Sequence, residues 1–198
     1  HNAVGMIVFT TTLEDQEVIR NSELGFPMVL LHRLPPRGVD VPCVLFDNRS
    51  GVRNAVQHLI QVHGRRRIAF LHGPLGNQES DEREQGYRDA LALSGIAYDP
   101  ALVTRGGFDE VGARAAVADL IHRQVPFDAI FSGDDEAAVG VLTALRTAGR
   151  RVPEDVAVVG FDDVPFAQHL NPALTTVRAP IEQAGYLAAT LLFKLLAT

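Results

Sequence analysis

The sequence predicts an α/β protein built on parallel sheets and divided into two lobes. Three observations carry this. Short apolar runs of strand length alternate with helical patterns along the chain, as in parallel strands joined by crossover helices. Residues 127–163 (FDAIFSGDDEAAVGVLTALRTAGRRVPEDVAVVGFDD) read as strand, acidic turn, helix, strand, acidic turn. Finally, the segments around Asp47-Asn48, Asp162-Asp163 and Arg178-Ala179 are short, polar and follow strands, so each can carry the chain from one lobe to the other.

The elements follow in order. Val4 to Phe9 is a continuous apolar run, as expected of a strand covered on both faces. Thr11 or Thr12 is expected to cap a short helix from Leu13 to Ser22, closed by Gly25 and Pro27. Met28 to Leu31 and Cys43 to Phe46 are strands, separated by a proline-containing loop. A helix is expected from Ser50 to about Val62, with Val52, Ala55, Val56, Leu59 and Ile60 on one apolar face that serves as core or interface. Arg67 to Leu71 is a strand opening into Gly73-Pro74, and residues 76–80 read as a loop. Arg83, Tyr87, Ala90 and Leu91 lie on the helix after it. Leu102-Val103 is a short strand, and a helix runs from about Val111 to His122. After residues 127–163, Leu174 to Val177 is extended. Pro180 then introduces an amphipathic helix over Gln183 to Leu196.

Composition narrows the function. With 198 residues, 46% of them hydrophobic, the chain can bury a sizeable core. A net charge of −6 argues against a nucleic-acid-binding module in this stretch, since such domains are usually basic. The run Arg65-Arg66-Arg67 reads as the charge complement of a helix C-terminus rather than a DNA patch. Cys43 is the single cysteine, which excludes an intrachain disulfide, fits a reducing compartment and reads as a small buried hydrophobe. No signal-peptide pattern and no 18-residue apolar run are seen, so a soluble, cytoplasmic protein without membrane attachment is expected. No nucleophile–base set, GxGxxG, P-loop or HExxH spacing occurs, and the histidines are scattered without partners in motif spacing. Catalytic residues, metal ligands and cofactors are therefore expected to be none. The carboxylates do not read as a glycosidase pair.

The residues then become specific. Asp47-Asn48 with Gly51, His58-Leu59, residues 66–70 (RRIAF), Gly73-Pro74, Arg83 with Gly86-Tyr87, Ala90-Leu91 and Gly95-Ile96 open a series of motifs. Residues 131–135 (FSGDD), Gly140-Val141, Gly149, residues 152–156 (VPEDV), 160–163 (GFDD) and 174–177 (LTTV) complete it. Each alone is a weak signal, but the ordered series covers nearly the whole chain and resembles the LacI/GalR family of bacterial transcription regulators.

The resemblance implies a type I periplasmic binding protein-like core. Two Rossmann-like lobes would be joined by three crossovers, near Asp47-Asn48, near or just after Asp162-Asp163, and near Arg178 to Pro180. The lobes are expected over 1–47 plus 180–198 and over 48–179. It also implies a small-molecule effector, a sugar or nucleoside, together with a homodimer and operator DNA bound through an N-terminal helix-turn-helix. Against the family pattern this sequence lacks that helix-turn-helix, a hinge helix, two leading strand–helix units and the final strands, so a truncated core with an incomplete N-terminal lobe is expected. A transport-associated periplasmic sugar-binding protein is the alternative; the missing signal peptide and the motifs at 151–163 and 174–177 weigh against it.

The resemblance also sorts the candidate ligand-binding residues. Asp162 suits adjacent hydroxyls because a carboxylate accepts two hydrogen bonds. Asp134 matches a second effector contact, with Asp135 the expected cap of the following helix and Asp163 the structural neighbour bonding local backbone. Arg83, on the first helical turn, offers a guanidinium that can fork onto two ligand oxygens. Phe108, after Gly106-Gly107, matches an aromatic that covers the C–H face of a sugar or base. Asn77 and Glu79, in the preceding loop, match positions that choose among effectors, and Asp47, Ser50 and Ile181 line the cleft by position.

Overall fold

The computed structural model describes residues 3–9 and 12–197, and the chain forms two compact units, His1–Phe46 with Pro180–Thr198 and Asp47–Ala179. In the first unit, β1 (Met6–Phe9), β2 (Met28–Leu31) and β3 (Cys43–Val44) form a parallel sheet in that order. β2 and β3 alternate their side chains between two apolar layers, whereas β1 buries only Val8 and leaves Ile7 and Phe9 exposed, so the strand expected to be covered on both faces is covered on one. Val8, Met28 and Leu30 pack with Val18 of α1 (Asp15–Glu23) on one face, while Val29 and Val44 pack with Ala184 and Ala188 of α6 (Ile181–Leu196) on the other. Cys43 is half-buried beside the first of these layers. The expected threonine cap of α1 is not what forms. Glu14 is the N-cap, and its carboxylate and that of Glu17 satisfy each other's backbone N–H groups. Thr12 instead donates to the Phe9 carbonyl at 2.8 Å, and Thr11 lies outside the described residues.

The second unit is a five-stranded parallel sheet. β4 (Ile68–His72), β5 (Val103–Arg105), β6 (Ala129–Phe131), β7 (Ala157–Asp162) and β8 (Thr175–Arg178) lie in the order β5-β4-β6-β7-β8. Ala69, Leu71, Ile130 and Val158 face α4 (Glu110–His122) and α5 (Asp135–Thr147) in one core. On the other side of β4, Phe70 stacks on Tyr87 of α3 (Gln78–Leu93) at 5.2 Å and on Phe131 at 5.8 Å, and the Tyr87 hydroxyl donates to the Ile68 carbonyl at 2.9 Å. α2 (Asn48–Gln61) buries Val52, Val56, Leu59 and Ile60, so the stripe expected to be core or interface is core.

Helices start earlier than expected for one physical reason. Side-chain carbonyl and carboxylate oxygens cap their first turns. Asp47 accepts from the Ser50 N–H at 3.0 Å and Asn77 from the Ser80 N–H at 2.9 Å, so Ser50 and residues 78–80 are already helical rather than helix start and loop. At the other edge the arginine run is not a helix-end charge complement. The Arg66 and Arg67 N–H groups donate to the Asp128 carboxylate, Arg67 also reaches Asp99 at 3.0 Å, and Arg65 donates to the Pro153 carbonyl. Leu102 belongs to a 3-10 turn (Pro100–Leu102) that leads into β5.

Candidate functional site

Strand order reverses direction at β4. The chain leaves β4 for β5 on one side, and later runs from β6 to β7 on the other. In such sheets the crevice outside the carboxyl ends of the two strands at the reversal is where ligands bind. Here those strands are β4 and β6, ending at His72 and Phe131. Register places the acidic turns together, as expected: Phe131 pairs with Val159, so Asp134 and Asp162 stand at the same offset beyond one rung.

Arg83 is the centre of this edge. It lies in the second turn of α3 rather than the first, and is only 4% exposed. Its Nε donates to Asn48 Oδ1 at 2.9 Å and its Nη1 to the Gly133 carbonyl at 2.6 Å. Nη2 stands 3.7 Å from Asp162 Oδ1. The guanidinium lies over the Phe161 ring at 3.8 Å, with the Phe108 ring at 5.4 Å. Two of its five N–H donors are thus spent inside the protein. Burial pulls the Arg83 pKa below its ordinary value against the pull of Asp162, Glu79 and Asp134.

Asp162 ends β7 with a φ of 108°, a region that only glycine enters freely. Its side chain is 27% exposed, so one face remains open to a ligand. Burial pushes its pKa up to about 6, opposed by Arg83 and assisted by Asp134. Burial also carries Asp134 up to about 6. The capping roles are the reverse of expectation. Asp134 caps α5, accepting from the Ala137 N–H at 2.7 Å, whereas Asp135 is fully buried and accepts from the Thr176 hydroxyl at 2.6 Å and the Val164 N–H at 2.9 Å. Asp135 therefore ties α5 to the turn after β7 and to β8. Its neighbour Asp163 pairs its carboxylate with Arg178 at 2.5 Å, not with the local backbone as expected, and its own N–H donates to the Thr176 hydroxyl.

Phe108, in the loop between β5 and α4, reaches the ends of both reversal strands. A Cβ at Gly73 would overlap its ring, and one at Gly133 would meet its Cε1 at 2.8 Å. The ring lies where only glycine permits so close an approach, which places an aromatic wall beside Arg83. Asn77 is the α3 cap, and Glu79, in the first turn, is buried and acts electrostatically on Arg83. Asp47 and Ser50 form the cap of α2, adjacent to Asn48. The Ser50 N–H bond holds the Asp47 carboxyl below its usual range. Ile181 belongs to the other compact unit.

Three participants were missed in the sequence. Asn48 is buried and orients Arg83. Phe161 is the platform beneath the guanidinium. His72 is not without partners: its Nδ1 lies 2.7 Å from Ser80 Oγ and its Nε2 lies 3.1 Å from Glu84 Oε2. The spacing of Ser80 and Glu84, four apart on one helical face, was the available signal. Ser80 Oγ accepts from the Gly73 N–H at 2.7 Å and is 1% exposed. The chain of groups therefore fastens the β4 turn to α3 rather than presenting a nucleophile. Among the described residues no group of three or more potential metal ligands comes together, and no helix is long and apolar enough to cross a membrane.

This architecture has close relatives. The profile of the periplasmic binding protein-like domain matches residues 56–198. The regulator CelR of Thermobifida fusca is 41% identical over 191 residues, 95% of this chain and 55% of that protein. GalR of Escherichia coli K12 is 36% identical over 96% of this chain and 55% of its own length. The chain thus spans about half the length of these curated relatives. Among solved structures, a CelR–cellobiose complex superposes with a TM-score of 0.91 at 39% identity, covering 99% of this chain and 60% of that one. A LacI-family sugar-binding regulator from Escherichia coli, complexed with phosphate, gives 0.88 at 31% identity over 98% of this chain and 69% of that one. These relatives are transcriptional regulators, a class that is not enzymatic. The chain belongs to the LacI/GalR family of transcriptional regulators and carries their periplasmic binding protein-like domain.

Proposed function

We propose that this chain is the effector-binding and dimerisation core of a sugar-responsive, DNA-binding regulator. The observation that carries the reading is the pair Asp134 and Asp162, set at one offset beyond paired strands and flanking a buried arginine at the point of strand reversal. Partly open carboxylates beside an aromatic wall match the chemistry of a sugar, whose hydroxyls need acceptors and whose C–H face needs an apolar ring. Asp162, Arg83, Asp134 and Phe108 form the contact set or its support. Asn77, Glu79, Asp47 and Ser50 act around it as cap residues and charge.

The two compact units are the natural lobes of the core, over about 1–47 with 180–198 and 48–179. Exposed apolar side chains on α6, Tyr186 and Phe193 among them, support self-association. Operator binding belongs to the whole regulator, through a helix-turn-helix segment like that of its relatives, and the site of action is the cytoplasm. Effector occupancy then biases the regulator between two states to the extent that it binds one better. The chain performs no catalysis in this reading. The transport-associated alternative is not favoured, because the relatives reported above are regulators.

A thermal-shift screen of the chain against neutral sugars and nucleosides tests the reading. A sugar that raises Tm dose-dependently is expected, and a response confined to nucleosides contradicts sugar as the effector.

A further inference from the structure

A second cluster of chemistry-bearing side chains lies at the opposite edge of the five-stranded sheet from the carboxylates. Near the amino ends of β7 and β8, at Ala157 and Thr175, a cavity of about 290 Å³ opens against the C-terminal end of α2. Much of its lining is apolar, with Leu59, Val152 and Pro172 among the residues. His58, in the last turn of α2, and His63, one residue past the cap Val62, both line it, and both are exposed. Their Nε2 atoms stand 3.1 Å apart. Their ring centroids are 4.9 Å apart, with the ring planes at 78°. No carboxylate lines the cavity, and its other charged side chain, Arg65, donates to the Pro153 carbonyl at 2.7 Å.

Imidazole nitrogens hold Zn²⁺ at about 2.0–2.1 Å, so two of them on one ion lie about 2.8 to 3.4 Å apart for angles between octahedral and tetrahedral. The observed nitrogen separation falls inside that range. A head-on hydrogen bond would lay both ring axes along the line between the nitrogens. The centroids are closer than that arrangement gives, so the rings are inclined to the line, as rings sharing an ion that sits off it must be. The C-terminus of α2 adds the negative end of a helix dipole, which favours a cation and offsets the opposing charge of Arg65. We propose that His58 and His63 form a two-imidazole site for a divalent transition-metal ion of the kind imidazole prefers, Zn²⁺, Cu²⁺ or Ni²⁺. Among the described residues no third His, Cys, Asp or Glu joins them. Water from the cavity fills the remaining positions, and the ion is exchangeable rather than structural. Bound there, it clips the turn at 62–64 to the last turn of α2 and stabilises the folded chain by mass action.

The test titrates Zn²⁺ into the metal-stripped, untagged, isotope-labelled chain at neutral pH, following the imidazole signals of each histidine. The His58 and His63 signals should move together and saturate at one equivalent, and Tm should rise with added Zn²⁺. His58→Ala and His63→Ala each remove one ligand at an exposed position, with the fold checked by circular dichroism. Each should weaken binding at least about tenfold and abolish the rise in Tm. His169→Ala, outside the pair, should bind as the parent does. Mg²⁺, which takes oxygen ligands, should leave both rings unmoved. Zn²⁺ that moves neither ring or only one overturns the site and leaves the pair an ordinary hydrogen bond. Undiminished binding by either single variant, or an equal response to Mg²⁺, overturns it as well. The sugar reading stands or falls separately, because the two sites lie at opposite ends of the strands.

Discussion

Replacing Arg83 by methionine keeps most of the side chain's length and removes its charge and donors. The loss comprises hydrogen bonds to Asn48 and Gly133 and the 3.7 Å approach to Asp162. Breaking a buried pair by removing one partner costs about 3–5 kcal/mol. Part of that cost depends on pH. The Asp162 carboxyl already stands at about 6, held down from a higher value by Arg83. Unit charges at such a distance interact by about 4 kcal/mol at an effective dielectric of 20, and a nearby cation typically lowers a carboxyl pKa by about 1–3 units. The variant's Asp162 should therefore titrate well above its present value.

A carboxyl whose folded pKa exceeds its unfolded value of about 3.9 contributes stability that is fully present below pH 4 and is lost as pH rises through the folded pKa. In the parent that loss is complete just above pH 6. In the variant it continues to higher pH. Urea unfolding at pH 5 and pH 8 should then show a penalty for Arg83→Met larger at pH 8 by about 1–2 kcal/mol, after discounting for the exposed part of Asp162. An equal penalty at both values would refute the electrostatic account of the pair.

The remaining predictions concern neighbouring parts of the same unit. Asp135→Ala leaves the Val164 N–H and the Thr176 hydroxyl without their acceptor and should cost about 2–4 kcal/mol in chemical unfolding, with Asp135→Asn losing less. Tyr87→Phe removes the bond to the Ile68 carbonyl and should cost about 1–2 kcal/mol with the fold retained by circular dichroism. Gly73→Ala drives a Cβ into the Phe108 ring and should weaken sugar binding more than it lowers Tm. Because Asp134 and Asp162 both titrate near 6 and accept best when ionised, affinity for a neutral sugar should fall as pH drops from 7 to 5, as measured by calorimetry in buffers of matched ionisation enthalpy.

The sequence carried the outline of the site but not its internal wiring. Strands buried on both faces are readable as apolar runs, and parallel pairing alone then puts residues 132–135 and 160–163 at one edge. Helix starts were misplaced at Asp47, Asn77 and Asp134 because an Asx cap lies one residue before the first helical one, outside the apolar periodicity. Which of two adjacent aspartates caps and which crosses to β8 depends on where the turn points, and DD looks the same either way. Arg83's engagement with Gly133, 50 residues on, is a contact between elements that no local spacing announces, and the spacing of Ser80 and Glu84 marks a shared helical face without naming His72 as what it meets.

The central claim is that the carboxylate edge binds a sugar, and isothermal calorimetry on Asp162 variants tests it most directly. The sugar with the largest thermal shift is titrated into the parent chain, Asp162→Asn and Asp162→Gly. Glycine is the cleaner deletion, because the φ of 108° strains any side chain placed there. Binding should weaken with asparagine and be lost with glycine, while the glycine variant unfolds as cooperatively as the parent. Undiminished binding by a folded Asp162→Gly chain would contradict the account.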